Sequence, residues 1–90
     1  HRGMHTLAKR IHNITPNDIR LTFEDESEIV LEMRSAEFFQ EAFQAEAETA
    51  DGTAYRLVTD GEGDPLVAGR KTEDGWETAG TVSNVAPADA

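Results

Sequence analysis

The stretch that decides the fold is residues 19–34, Ile-Arg-Leu-Thr-Phe-Glu-Asp-Glu-Ser-Glu-Ile-Val-Leu-Glu-Met-Arg. Ile19, Leu21 and Phe23 alternate with Arg20, Thr22 and Glu24. Asp25-Glu26-Ser27 is turn chemistry. Ile29, Leu31 and Met33 then alternate with Glu28, Val30, Glu32 and Arg34. A period of two on both sides of a turn predicts a β-hairpin with one apolar and one wet face. Arg20 and Arg34 share the wet face with Glu24, Glu28 and Glu32, which predicts cross-strand ion pairs.

Toward the C-terminus the pattern changes at Ser35, which suits a helix N-cap, followed by Glu37 in a first turn. Phe39, Phe43 and Ala47 recur every four residues, with Ala36, Phe38 and Ala42 beside them. This spacing predicts one amphipathic helix over about 36–48, ending before Asp51-Gly52, its Phe stripe laid on the sheet. Ala54–Asp60 reads as a strand, with Tyr55 and Leu57 on one side and Val58 on the other. Residues 61–65 form a loop, and Leu66–Lys71 is a further strand. Asp74-Gly75 marks a tight hairpin. Trp76–Val85 is the last strand, with Trp76, Thr78, Gly80 and Val82 on one face, and Trp76 is expected to complete the core. Toward the N-terminus, residues 6–14 read as a first strand, although Leu7, Ile11 and Ile14 also fit helical spacing. Pro16 blocks a helix, and Thr15–Asn17 is turn chemistry.

These elements define an α+β domain: a mainly antiparallel, curved sheet or partly closed small barrel of 5–6 strands carrying the 36–48 helix. Residues 1–90 form a single domain, with 1–5 and 86–90 expected to fray. Residues 8–18 (AKRIHNITPND) and 79–89 (AGTVSNVAPAD) echo one another. If both segments are sheet edges, Ile11, Asn13, Val82 and Asn84 mark an edge through which two copies could pair.

Charge is the other strong signal. The 90 residues hold 18 Asp and Glu against 8 Lys and Arg, a net charge of −10. Residues 18–51 contribute −9 and residues 52–90 contribute −4, while residues 1–17 contribute +3. Bases are mostly Arg, Ala and Thr are abundant, and Leu, Val, Ile and Phe make up only 20% of the chain. Such a body repels itself in dilute buffer, and molar salt screens that repulsion over about 3 Å. In composition the whole chain resembles small acidic haloarchaeal proteins. The resemblance implies a salt-rich cytoplasm and assigns no site residues. No apolar run approaches the ~20 residues of a membrane span, and positions 1–30 lack the layout of a secretory leader. The expectation is therefore a cytoplasmic protein with no membrane association.

Several chemistries are weak or excluded. With no Cys there is no thiolate metal site, disulfide or thiol nucleophile. His1 and His5 have metal-clip spacing, but Gly3 lies between them. Asp60, Glu62 and Asp64 resemble the start of a calcium loop, yet Pro65 and Lys71 stand where it needs Gly and Glu. Ser27, Ser35 and Ser83 lie outside any nucleophile elbow. No catalytic, metal or cofactor-binding residue is assigned, and no cofactor is expected. Two readings of function follow. The first is a non-catalytic interaction module acting as a homodimer or with a protein partner. The second is a nucleic-acid-associated accessory protein using the basic N-terminal patch Arg2, Lys9 and Arg10, extended by Arg70 and Lys71.

Overall fold

The computed structural model describes residues 5–61 and 63–89. One helix, α1 (Thr6–Ile14), precedes six strands: β1 (Ile19–Phe23), β2 (Glu28–Phe39), β3 (Ala42–Glu48), β4 (Ala54–Thr59), β5 (Val67–Thr72) and β6 (Gly75–Pro87). Every neighbouring pair is antiparallel, and β1 bonds to both β2 and β6, so the sheet closes into a ring. The α+β class and the curved antiparallel sheet are as the alternation predicts.

The 19–34 hairpin has the expected register, with Ile19 opposite Leu31 and Leu21 opposite Ile29. Its turn is held by Asp25, whose carboxylate accepts from the Ser27 backbone N–H at 2.9 Å and from the Ser27 hydroxyl. The Arg34 guanidinium lies 3.7 Å from Glu32 on its own strand, and its closer carboxylate is Glu48, across on β3 and outside the hairpin where the pairs were expected.

Closure depends on two long strands that each serve two partners. The first half of β2 pairs with β1 and its second half with β3; β6 pairs first with β5 and then with β1. Each strand bends at bulges, where one residue has no partner opposite it: Arg34 in β2, and Ala79 and Ser83 in β6. The Ser83 hydroxyl donates 3.1 Å bonds to the carbonyls of Thr22 and Phe23, fixing the bend.

The interior is filled by Ile19, Leu21, Leu31, Leu57, Leu66 and Val85, all almost wholly buried. Burying each such side chain is worth about 1.5–3 kcal/mol. Residues 6–14 take the helical option: Ala8 and Ile11 are fully buried, with Leu7 and Ile14 partly so. The helix lies across β6 and β2. The His5 side chain caps it, accepting from the Leu7 N–H at 3.2 Å.

The helix expected over 36–48 is not there. Those residues form the β2–β3 hairpin, with Phe38 opposite Phe43 and Ala36 opposite Ala45. Gln40, at φ +60°, turns the chain. Phe43, Ala45 and Ala47 are buried while Gln44 and Glu46 are exposed, a strict period of two. Ser35 is correspondingly a strand residue beside the β2 bulge, not a helix cap. Of the 86–90 end expected to fray, residue 90 lies outside the described residues; β6 runs to Pro87, and the Ala88 N–H donates to the Asp18 carbonyl at 3.0 Å. Residues 1–4 lie outside the described part of the chain.

Candidate functional site

The outer face of β4, β5 and β6 is built from residues whose neighbours in the strand point inward. On β4, Tyr55, Leu57 and Thr59 face the core, so Arg56 and Val58 face out. On β5 the outward residues are Val67, Gly69 and Lys71. Lys71 stands opposite Trp76 and Gly69 opposite Thr78 on β6. Trp76 therefore belongs to the exterior, at 43% exposure, and does not complete the core as expected. The bulge at Ala79 is the cause: it reverses the alternation, leaving Trp76 and Thr78 outside while Val82 is buried.

Trp76 reaches diagonally across β5. The position a β-carbon would take on Gly69 lies 3.7 Å from the indole, and the Arg56 guanidinium sits 4.4 Å from the ring centroid. The Lys71 ammonium is 5.5 Å from the same centroid. An aromatic ring covering a strand glycine is a known stabilising device, and it accounts for part of this arrangement. It leaves much of the indole in solvent between two cations. The Arg56 Nε is buried without a hydrogen-bond partner, and its Nη2 lies 3.9 Å from Glu46. Arg70 is held differently, by Tyr55 Oη and by Glu77, each at 3.4 Å. Both contacts raise its pKa, Tyr55 more than Glu77.

Two hollows open on this face. One, of about 220 Å³, is lined by Arg56, Val58, Val67, Gly69, Trp76, Glu77 and Thr78. The other, of about 200 Å³, is lined by Val58, Thr59, Asp60, Asp64, Pro65 and Val67. They share Val58 and Val67, so they form one groove. Its aromatic end lies at Arg56, Trp76 and Glu77, with Lys71 over the indole, and its anionic end at Asp60 and Asp64. A larger cleft of about 550 Å³ lies between the start of β1 and the end of β6, where Asp18 and Asp89 meet Pro16 and Pro87. Among the described residues, no cationic or aromatic side chain lines it.

The residues singled out in the sequence are scattered. Arg2 and His1 lie outside the described residues. Lys9 is exposed on α1. Arg10 is engaged by Asn84 Oδ1 at 3.0 Å and the Val85 carbonyl at 3.4 Å, clamping α1 onto β6. The basic patch is thus split between an exposed lysine and a structural arginine, and Arg70 and Lys71 lie on β5, a different element. The association edge fails for a related reason. Ile11 and Val82 are core residues, Asn84 accepts from Arg10, and only Asn13 is exposed without such a role. The echoing segments are not equivalent edges, because 8–14 is helical and 79–87 is strand. His12 stacks against Phe38, with centroids 5.5 Å apart. Among the described residues, no group of three or more His, Cys, Asp or Glu is arranged to hold a metal. Glu62 is not described, so the three-carboxylate loop cannot be assembled. Likewise, no helix among the described residues is long and apolar enough to cross a membrane.

The Trp76 groove was the feature that sequence reasoning missed. Its signal was present as the lone Trp and as two strands, 54–59 and 67–72, that hold three cations and no carboxylate. A family model for a domain of unknown function, DUF8072, matches residues 2–90. Comparison with curated proteins and with solved structures finds no match.

Proposed function

The chain belongs to the DUF8072 family, and from that premise we propose that it is a non-catalytic association module of a salt-rich cytoplasm, binding protein through the Trp76 groove. One observation carries the reading: the only Trp of a strongly acidic chain is held half-exposed on a closed sheet, beside exposed Val58. A partly exposed aromatic anchored on rigid strands, rimmed by charge, is the composition that protein interfaces favour at their centre. The strands beneath the groove support the same reading, since β4 and β5 are paired on both sides and association there uses a face and not an edge.

A photo-reactive p-benzoylphenylalanine at Thr78 tests it in cells of a salt-accumulating host. The expected result is a discrete protein adduct that is lost when Trp76→Ala is added. An absence of adducts, or adducts indifferent to Trp76, would overturn the reading. A second reading rests on the same face: cations beside an exposed indole can stack and neutralise single-stranded nucleic acid. Trp76 fluorescence, titrated with an oligonucleotide in molar KCl, would be quenched if that reading holds.

A further inference from the structure

We propose that the occupant of the groove is a second copy of this chain, docked across a two-fold axis with the two grooves antiparallel. The inference rests on the association reading above and specifies its partner. The groove changes in charge along its length: its Trp76 end holds Arg56 and Glu77 with Lys71 over the indole, whereas its other end holds Asp60 and Asp64 beside Pro65 and no cation among the described residues. The shared Val58 and Val67 form an apolar middle. A two-fold axis through that middle turns the groove end for end. It sets Arg56 and Lys71 of one copy on the anionic end of the other, twice, with valine against valine between them. Self-complementarity of this kind is the condition for a closed, isologous dimer. A foreign partner would have to supply the reverse charge pattern independently, whereas a second copy carries it by construction.

The charge of the whole molecule points to the same face. Two bodies of −10 repel over most of their surfaces. The paired strands β4 and β5 relieve that repulsion locally, as acid-free α1 does elsewhere, because Ala54–Thr59 and Val67–Thr72 contain Arg56, Arg70 and Lys71 and no acid. At molar salt the long-range repulsion is screened, and charge pairs closed off from solvent at the contact are screened much less. The groove therefore supplies orientation and its apolar middle supplies the area term.

The test exploits the two-fold axis. Full-length chain in about 2–3 M KCl, where screening is short-ranged, should sediment as a dimer over a micromolar range. Arg56→Asp places two like-charged contacts in its own dimer, and so does Asp60→Arg. Each variant alone should associate at least roughly tenfold more weakly. Mixing the two creates attraction at both contacts, so the mixture should sediment as a heterodimer. The double variant, with both ends reversed, should pair with itself. Recovery on mixing also establishes that neither variant failed to fold. Trp76→Ser provides an independent loss of association, with circular dichroism checking its fold. A wild-type monomer, single reversals without effect, or no recovery on mixing would overturn the proposal. So would a wild-type monomer that binds an oligonucleotide through Trp76. In the photo-crosslinking experiment, an adduct at twice the mass of the chain supports self-docking. An adduct of another mass overturns self-docking and leaves the broader association reading standing.

Discussion

Gly80, opposite Ala68 on β5, packs against the Phe23 ring, and its surroundings give a sharp prediction. A β-carbon there would lie 3.1 Å from Cδ1 of buried Phe23, and its φ of +156° is one that residues with side chains seldom adopt. Gly80→Ala should therefore lower stability by about 1–3 kcal/mol, read from a urea melt in high salt. Gly52→Ala has open space around it at φ +92° and should cost only its backbone strain, about 1 kcal/mol. Asp51 predicts a pH effect. It accepts from the Thr49 hydroxyl, then from the Thr53 N–H and hydroxyl, and these bonds hold its carboxyl below the usual range. A depressed carboxyl stabilises the fold above its unfolded pKa, and the contribution disappears as pH falls through the lower folded value. Asp51→Asn should therefore destabilise near neutral pH and match the wild type in strong acid. A carboxyl NMR titration of wild type should show Asp51 titrating below a model peptide.

At the scale of elements, the β2–β3 hairpin shows which sequence signals prevailed. Ala, Glu and Gln are good helix formers, and Phe39, Phe43 and Ala47 repeat every four residues. Four is also an even number, so half of that stripe fits a strand equally well. The competing signal was Phe-Gln-Ala-Glu-Ala-Glu at 43–48, strictly alternating, and pairing with β2 and β4 settles it. In a helix, Phe39 and Phe43 would share one buried face. Here Phe43 is 2% exposed and Phe39 is 58% exposed. Phe43→Ala should cost about 3–5 kcal/mol and Phe39→Ala no more than about 0.5 kcal/mol, measured by denaturant unfolding. The 19–34 hairpin was fully legible because its alternation and turn agree. The groove was not, because a bulge inverts sidedness at a position that no alternation marks. Trp76 and Val82 have the same parity in the chain and opposite faces in the fold.

For the molecule as a whole, charge and core size act together. A thin core must hold a −10 body closed, so stability should rise with salt. The unfolding midpoint in molar KCl should lie above that in dilute buffer at the same pH. Equal midpoints in the two buffers would remove salt adaptation from the account. Ion pairs contribute little here: Arg34–Glu32, Arg56–Glu46 and Arg70–Glu77 all have side chains a third or more exposed, and such pairs are worth at most about 1 kcal/mol.

Ring closure also sets an order in time. Five of the six strand junctions join consecutive strands and can form from nearby segments. The sixth, between β1 and β6, links Ile19 to Pro87 and Arg20 to Ala88, the latter two 68 positions apart. Loop entropy makes that seam the costliest junction to form early. The hairpins can thus assemble first, and the seam then locks them. Val85→Ala, at the seam, should mainly quicken unfolding, whereas Leu57→Ala, within the local hairpins, should also slow refolding. Stopped-flow chevrons for the two variants would distinguish these effects, and a large slowing of refolding by Val85→Ala would reverse the order.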